Sequence, residues 1–379
     1  MGKWETYAFE SVLSDNTKHG VKIPKESYLD DGLYPIIDQG KSYVAGYTND
    51  ETGLFDNVPA IVFGDHTRVF KYIDFPFFIG ADGVKLLKSK FDNTDHKFLY
   101  YFLQSSHIPD TGYNRHFKWL KDIKIPLPPL PIQQKIADLL DLTSALIEKR
   151  KTQIEKLDLL IKSRFVEMYG DPVTNPMGWD MHTVEETVAE GKTSLKAGPF
   201  GSSLKKEYYV ERGYKIYGQE QVILGDVSYG DYYISKERFQ SLKSCEVQAN
   251  DVLISLVGTY GRLLVIPDDF EPGIINPRLM KITFNPKKVN TTYFRYFFGS
   301  DSLVKKLSEN THGGTMDILN LGIVRKIHMP LPPLNLQNRF ADFVRAADKS
   351  KSEMQQGLEK LELLYKSLMQ KCFVGELYE

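Results

Sequence analysis

Two stretches of the chain place an apolar residue at every seventh position. The first runs through Leu140, Ile147, Ile154, Ile161 and Met168, with Ile136 and Leu157 on the complementary position. The second runs through Phe340, Ala347, Met354, Leu361 and Leu368, flanked by Val344, Leu358, Tyr365 and Cys372. Heptads of this length predict two helices of roughly 33 residues, about 50 Å long, that pair as a coiled coil. The alternative, a helix packed only on its own domain, is disfavoured because the stripe outlasts typical globular helices.

The two heptad stretches are copies of one another. Each follows the string Pro-Leu-Pro-Pro-Leu, which begins at residue 126 and again at residue 330, an offset of 204 residues. The copies then correspond without a gap as far as Leu159, Leu160, Lys162 and Ser163, which fall on Leu363, Leu364, Lys366 and Ser367. Because proline neither continues a strand nor sits inside a helix, Pro126, Pro128, Pro129 and Pro131 predict an extended bridge into the helix start. Duplication of this bridge disfavours an SH3-type ligand.

A variable region precedes each proline string. Short β-rich runs at 59–63, 251–257 and 263–266 are bounded by turn residues, and aromatic stretches at 98–103 and 293–298 suit helices packed on those strands. The two regions echo one another. Trp4 and Phe9 correspond to Trp179 and Val184, and residues 34–39 correspond to 214–219. The sequence between these anchors differs, so one mixed α/β domain is predicted twice with its surface rewritten, as two distinct ligands require.

Charge gives no sign of a DNA binder that works alone. The formal net charge is −1, residues 1–125 carry 15 basic and 17 acidic side chains, and residues 170–329 carry 19 of each. A DNA-binding surface then depends on how the charges are arranged, or on partner subunits that supply most of the attraction, which we favour. The two cysteines, Cys245 and Cys372, are too few for a disulfide framework or a zinc site and fit a reducing cytoplasm. No apolar run is long enough to span a membrane.

No motif for catalysis is present in the sequence. There is no glycine-rich phosphate loop and no His-Glu-x-x-His string. The strings at 175–177 and 276–278 lack the second proline and the aromatic residue of an amino-methyltransferase motif. A nuclease-like string pairs Asp110 with Asp122 and Lys124, but Asp122 corresponds to Lys326 in the second copy, where a metal ligand would be lost. We therefore expect a chain without catalytic or metal-binding residues.

Polar, basic and glycine-containing loops remain, and such loops contact base edges and phosphates. In the first variable region the DNA-binding candidates are Gln39, Lys41, Ser42, Tyr43, His66, Thr67, Arg68, Thr111, Arg115 and His116. In the second they are Phe200, Ser202, Ser203, Lys205, Lys206, Gln219, Gln221, Thr259, Tyr260, Arg262, Asn276, Arg278, His312 and Thr315. Arg262 or Arg278 suits guanine, and Gln219 or Asn276 suits adenine. Any one loop alone is more often a simple turn.

The repeated proline entries, the two variable regions and the closing Phe-Val-Gly-Glu-Leu at 373–377 resemble the specificity subunits of type I restriction-modification systems. The resemblance covers essentially the whole chain. It implies that each variable region is a target recognition domain for one half of a split double-stranded DNA site. It also implies that the paired helices act as a spacer and dock two methyltransferase subunits, which carry S-adenosylmethionine, and that restriction subunits add ATP- and Mg-dependent translocation and cleavage. A Gly-Thr-x-Gly loop at 258–261 appears in the first region only as Gly-Asp-His-Thr at 64–67.

The expected fold is α+β, with two mixed α/β target recognition domains joined by two long antiparallel coiled-coil helices as a pseudo-two-fold internal repeat. The expected segments are 1–125 and 171–329 for the recognition domains and 126–170 and 330–379 for the proline entries and spacer helices. The expected function is recognition of a gapped DNA site, in the cytoplasm, by a non-catalytic subunit. Two alternatives remain, namely a non-DNA adaptor that assembles through the coiled coil and the recognition half of a fused enzyme.

Overall fold

The computed structural model describes residues 4–80, 83–256, 262–309 and 319–378. The chain divides into two compact units, one formed by Met1–Thr152 with Met354–Glu379 and the other by Gln153–Glu353. Each unit contains one variable region, called a head from here on, together with parts of both long helices. In the described part of the chain, no helix is long and apolar enough to cross a membrane.

The first head is built from short strands with three helices between them. The strands are β1 (Thr6–Ala8), β2 (Leu13–Asp15), β3 (Tyr34–Ile37), β4 (Gly46–Thr48), β5 (Ala60–Gly64), β6 (Phe70–Ile73), β7 (Phe78–Ile79), β8 (Val84–Ser89) and β9 (Lys124–Pro126). The helices are α1 (Phe9–Val12), α2 (His96–Ser105) and α3 (Phe117–Lys121), with 3₁₀ turns at Thr17–His19 and Lys25–Ser27.

These strands form an antiparallel sheet in the order β2-β8-β5-β6, a second sheet in the order β4-β3-β7 with β3 and β7 parallel, and the antiparallel pair β1-β9. Strand β5 is buried on both faces, which explains its continuous apolar run. Because side chains alternate along a strand, Ile61 and Phe63 join the core that contains α2, and Ala60 and Val62 join the core under β7.

The second head has the same plan. Its strands are β10 (Met181–Thr183), β11 (Leu195–Ala197), β12 (Tyr209–Val210), β13 (Tyr214–Tyr217), β14 (Tyr233–Ile234), β15 (Val252–Ser255), β16 (Leu263–Val265), β17 (Gly273–Ile275), β18 (Leu279–Ile282) and β19 (His328–Pro330). Its helices are α5 (Val184–Thr187), α6 (Gln219–Leu224), α7 (Lys236–Ser241), α8 (Thr291–Phe298), α9 (Asp301–Glu309) and α10 (Leu321–Arg325), with 3₁₀ turns at Gly201–Ser203, Lys206–Tyr208 and Lys243–Cys245. The long helices are α4 (Leu130–Tyr169) and α11 (Leu334–Val374).

The strand orders of the second head repeat those of the first. The sheet β11-β18-β15-β16 corresponds to β2-β8-β5-β6, the parallel pair β13-β17 corresponds to β3-β7, and the pair β10-β19 corresponds to β1-β9. Val252 and Ile254 face the core that contains α8, and Leu253 faces the opposite core, as Ile61, Phe63 and Val62 do in the first head. The predicted duplication of one mixed α/β head is confirmed.

The two long helices run antiparallel in each unit. In the first unit, Ile136 and Leu140 of α4 share a core with Met369 and Cys372 of α11. In the second unit, Ile161 and Phe165 pack with Phe340 and Val344, and the hydroxyl of Tyr169 donates a 3.0 Å hydrogen bond to the carbonyl of Leu336. None of the predicted heptad positions is exposed. The predicted antiparallel helix pair is therefore confirmed.

The helices begin earlier than the prolines predict. They contain 40 and 41 residues, so each is about 60 Å long rather than 50 Å. Pro131 lies in the first turn of α4, where the missing N–H has no intrahelical partner to lose. Pro126 is the last residue of β9, an edge strand that needs no further donor there. The extended bridge is thus shorter than expected.

One hydrogen-bonding arrangement anchors each head to its long helix, and we call it the glutamine clamp. Gln133 donates from Nε2 to the carbonyl of Pro128 at 2.8 Å and accepts at Oε1 from the backbone N–H of Asp95 at 2.9 Å. Gln337 makes the same two bonds to Pro332 and Asn290, also at 2.8 and 2.9 Å. Both glutamines are buried, so the clamp satisfies backbone groups that water does not reach.

Candidate nucleic-acid interface

Two candidate segments of the first head both contact the loop after β5. The loop after β3, residues 38–45, meets the loop after β5, residues 64–69, because Thr67 Oγ1 donates to the carbonyl of Gln39 at 2.5 Å and the N–H of His66 donates to Gln39 Oε1 at 3.3 Å. Residues 109–116, the segment before α3, meet the same loop through Asp65, His66 and Arg68. The sequence candidates of this head therefore form a single cluster.

His116 holds the cluster together from inside. Its side chain is fully buried, its Nδ1 lies 2.9 Å from the carbonyl of Asp65, and its backbone N–H donates to that carbonyl at 2.8 Å. The carboxylate of Asp65 accepts from the N–H of Phe117 at 2.7 Å. A buried imidazole is out of reach of a base edge. We therefore interpret His116 as a residue that supports the loop.

The surface of the cluster is aromatic and cationic. Tyr113 is 88% exposed, and one face of its ring stacks on His66 with the centroids 4.7 Å apart and the planes 8° apart. Lys41, Ser42, Thr67, Thr111 and Arg115 of the candidate loops are exposed as well. Tyr43 is half exposed, donates to the carbonyl of Tyr72 at 2.5 Å, and has its pKa raised to about 12, chiefly by burial.

Acidic groups of the cluster are engaged by neighbouring donors. Asp38 accepts from the N–H of Gly40 at 2.8 Å, and its Oδ1 lies 3.6 Å from the ammonium of Lys71. Lys71 is buried, which lowers the pKa of its ammonium. Asp110 pairs with Arg68 at 2.7 Å. With these carboxylates paired, Lys41 and Arg115 are exposed cations of the candidate loops.

Candidate loops of the second head also meet. The N–H of Gly198 donates to the carbonyl of Leu279 at 2.8 Å, and a Cβ on Gly198 would lie 1.9 Å from the carbonyl oxygen of Asn276, so only glycine fits there. Asn276 donates from its N–H to the carbonyl of Tyr217 at 2.9 Å, and its Oδ1 accepts from the N–H of Arg278 at 2.9 Å. The segments around 198, 217 and 276 therefore form one surface.

The side chains on this surface differ in exposure. Phe200 is 88% exposed, and Ser202, Lys205, Lys206, Arg262 and Arg278 are also exposed. Ser203 and Gln219 are half-buried, and the guanidinium of Arg262 donates to the carbonyl of Ile223 at 2.9 Å. Gln221 is buried, accepts from the N–H of Gly218 and donates to the carbonyl of Tyr229, so its position assigns it to support of α6.

Four sequence candidates fall outside the described residues, namely Thr259, Tyr260, His312 and Thr315. In the chain they lie between described elements. The first two lie between β15 and β16, as residues 65–69 lie between β5 and β6, and the other two lie between α9 and the segment before α10. Their place in the chain thus matches that of two loops in the cluster of the first head.

Sequence reasoning missed two residues of the first cluster, Tyr113 and Asp110. Tyr113 belongs to the candidate loop, and its isolation among polar neighbours is the signal that identifies an exposed aromatic residue. Asp110 belongs to the nuclease-like string of the sequence, which gives no sign of a partner for Arg68. Among the described residues, no group of acidic, histidine or cysteine side chains has the arrangement of a metal site, and Asp110 binds a guanidinium instead.

The sequence profile of the type I restriction modification DNA specificity domain matches residues 1–156 and 197–363. The chain belongs to this family. The specificity subunit of the Escherichia coli restriction enzyme EcoR124I/EcoR124II is 24% identical over 367 residues, which cover 91% of this chain and 86% of that protein. The specificity subunit of MjaVIII from Methanocaldococcus jannaschii is 22% identical over 69% of this chain and 63% of that protein. That of EcoBI from Escherichia coli is 22% identical over 68% and 59%.

Solved structures of type I specificity proteins share the fold. The S subunit from M. genitalium superimposes with a TM-score of 0.59 at 16% identity, over 98% of this chain and 96% of that one. A chain from a study of complex assembly and conformational transition of the type I system gives 0.62 at 15% identity, over 99% and 98%. The expected fold class, two α/β heads with two long antiparallel helices, is confirmed.

Proposed function

We propose that this chain is the DNA sequence-recognition subunit of a type I restriction-modification complex and that each head reads one half of a bipartite site. One observation carries the proposal: the same head is built twice, with matching strand order, while the loop side chains differ. Two different half-sites require the same domain fold with different side chains on the loops that contact the bases. We assign the two target recognition domains to residues 1–125 and 171–329, and the proline entries and spacer helices to 126–170 and 330–379.

The chemistry belongs to partner subunits in this proposal. The chain lacks the motifs of amino-methyltransferases and nucleoside triphosphatases, so we assign S-adenosylmethionine to methyltransferase subunits and ATP with Mg to restriction subunits. Partners that close around the duplex also account for the net charge of −1 on a DNA-binding chain. Since the substrate is cellular or invading DNA, we place its action in the cytoplasm.

Repeated leucine pairs on the long helices support two methyltransferase subunits. Leu159 and Leu160 of α4 are 61% and 50% exposed, and Leu363 and Leu364 of α11 are 66% and 49% exposed. The pairs are related by the 204-residue offset, so the chain offers the same apolar patch twice. Exposed apolar patches of this kind mark protein interfaces. We expect Leu363→Ser with Leu364→Ser to remove one methyltransferase subunit, measured as the mass of the purified complex, with Leu159→Ser and Leu160→Ser removing the other.

Methylation-aware sequencing of DNA from cells that carry this chain with its methyltransferase tests the proposal. The expected result is a gapped motif. Exchange of residues 1–125 for another first head is expected to change one half of that motif and to leave the other half and the gap unchanged. A continuous motif, or a change in both halves, would contradict one half-site per head.

A non-DNA adaptor is the alternative, and salt distinguishes it. DNA retention that depends on phosphate contacts falls steeply between about 50 and 200 mM salt, because each neutralised phosphate releases counterions. The complex of this chain with its methyltransferase is therefore expected to lose affinity for its site along a linear log–log slope. The methyltransferase alone is the control. Its own dependence of log affinity on log salt concentration is the part that does not come from the heads.

A further inference from the structure

Arg68 has an unusual backbone conformation within the candidate interface. Its φ is +62°, and among the described residues it is the only one with positive φ that is neither glycine nor asparagine. Its N–H donates to the carbonyl of Gly64 at 2.7 Å, which closes the turn between β5 and β6. An L-residue with a long side chain is disfavoured here, because its Cβ crowds the carbonyl oxygen. Residues in such conformations are held by the surrounding structure and cluster at functional sites, which points to a role for Arg68.

The side chain of Arg68 is held from one side. Its Nη2 lies 2.7 Å from Oδ2 of Asp110, and 32% of its side chain is exposed. The other carboxylate oxygen of Asp110 accepts from the N–H of Gly112 at 3.1 Å, which orients the carboxylate. The contact with Asp110 uses one of the five N–H donors of the guanidinium, and the fork can present others to a second planar acceptor.

The Arg68–Asp110 ion pair favours a base over a phosphate as the second acceptor of the guanidinium. A carboxylate at 2.7 Å offsets the charge that would attract a phosphate, whereas it leaves the directional donors of the fork intact. In the major groove, guanine presents O6 and N7 side by side and is the base that arginine holds bidentately. Orientation by the carboxylate of Asp110 reduces the entropy that the long side chain of Arg68 loses on binding.

We propose that Arg68 reads a guanine in the half-site of the first head and that Asp110 is the positioning residue that fixes its guanidinium for that contact. This inference rests on the proposed function, and it adds a base, a reading residue and a partner for that residue.

Substitution of single guanines by 7-deazaguanine, which lacks the N7 acceptor, tests the contact. The assay measures binding of the complex of this chain with its methyltransferase to duplexes that carry the wild-type motif. At one guanine of the first half-site, we expect the wild-type complex to lose about fivefold or more in affinity, because one of the two hydrogen bonds of the bidentate pair is removed. The complex with Arg68→Asn is expected to bind the guanine and 7-deazaguanine duplexes with equal affinity at that position. Asparagine is chosen because it accepts a left-handed φ, so the fold is retained, as thermal unfolding will check.

Asp110→Asn tests the positioning role, because it keeps the shape of the side chain and removes its charge. We expect discrimination at that same guanine to fall by about fivefold or more, with recognition of the second half-site unchanged. The matched control is Glu10→Gln, which removes an ion pair of equal length, 2.7 Å to Lys121, outside the loop cluster of the same head. The control is expected to leave the guanine preference unchanged.

Three results would overturn the inference. The first is a first half-site without any G·C pair. The second is an Arg68→Asn complex that binds all sequences equally more weakly, with a salt slope reduced by about one, as a phosphate contact gives. The third is an unchanged 7-deazaguanine effect in that variant. If the wild-type complex binds DNA without any sequence preference, the proposed function itself is wrong, and the inference that rests on it is wrong as well.

Discussion

The ammonium group of Lys215, which is 1% exposed, donates a 2.6 Å hydrogen bond to Oε1 of Glu271. A second bond from the same nitrogen reaches the carbonyl of Ser228 at 2.9 Å. The ion pair joins β13 to the segment before β17, the two parallel strands of the second head. Lys215 has no access to water, so its charge depends on Glu271 for compensation.

Replacement of Glu271 by Gln is expected to destabilise the second unit by about 1–2 kcal/mol at neutral pH, since half of the carboxylate side chain is exposed and partly screened. The bond from Lys215 lowers the pKa of Glu271 below its ordinary 4.5. The stabilisation is therefore complete above pH 4.5 and is lost as the pH falls through the folded pKa. Urea unfolding at pH 7 and in acid measures it, and the variant should approach the wild type in acid.

The control for that pair is Glu246→Gln. Glu246 also receives a 2.6 Å bond, from Lys243, but that lysine is 53% exposed. Since water replaces the lost partner, we expect the free energy of unfolding to fall by less than about 1 kcal/mol at either pH. Equal losses in the two variants would contradict the role assigned to burial of Lys215.

Gln133→Ala is expected to cost about 1–3 kcal/mol, because it leaves the N–H of Asp95 and the carbonyl of Pro128 without their partner in a buried site. Gln134→Ala is the matched control, since Gln134 is the next residue of α4 and is exposed. Denaturant unfolding of both variants gives the difference. Equal stability of the two would show that the clamp contributes nothing.

Phe340→Ala is expected to destabilise the second unit by about 3–5 kcal/mol, because the ring is fully buried against Phe165, Tyr169 and Tyr296. Asp158→Ala removes a 2.6 Å ion pair to Lys351 between the same two helices, but on their exposed side. We expect less than about 1 kcal/mol for that change. Calorimetry of both variants tests whether packing or charge holds the helix pair.

Cys372 is expected to resist thiol reagents in the folded protein. It is fully buried in the core of the first unit, and burial raises the pKa of its thiol to about 11. At pH 8 only about a thousandth of the thiol is then ionised, and the thiolate is the reactive form. Cys245 is also buried, so both should react with Ellman's reagent only as the protein unfolds. Fast reaction of Cys372 under native conditions would contradict its placement.

Tyr113→Ala is expected to leave unfolding unchanged within about 0.5 kcal/mol, since a side chain that is 88% exposed buries little. It is expected to weaken DNA binding by about 1 kcal/mol or more, as an aromatic residue central to an interface does. Phe200→Ala should behave alike in the second head. Phe91→Ala provides a control, because Phe91 is also exposed but lies beyond β8, outside the loop cluster. Unchanged DNA binding by the Tyr113 variant would exclude its ring from the interface.

The sequence predicts the repeat and the helix pair well because both depend on local patterns. Heptad positions such as Leu140 and Phe340 are buried as their spacing requires. It does not distinguish loop residues that face outward from those that support the loop. His116 and Gln221 are residue types that often contact DNA, but both are buried and bond to backbone groups. His116 contacts Asp65, which lies 51 residues away in the chain, so no local pattern identifies its role. Gln221 bonds to the nearby Gly218 and Tyr229, but its burial depends on how α6 packs against β15 and β16, which composition does not indicate.

The glutamine clamps recognise only main-chain atoms of the segments they join, an N–H at the start of a head helix and a carbonyl of the proline bridge. A carbonyl and an amide are common to every sequence. A foreign head grafted upstream of Gln133 or Gln337 by recombination would therefore meet the same anchor, whatever residues it carries. The attachment places no restriction on mutation of the loop residues, so the loops can change while the anchor to the long helix is kept.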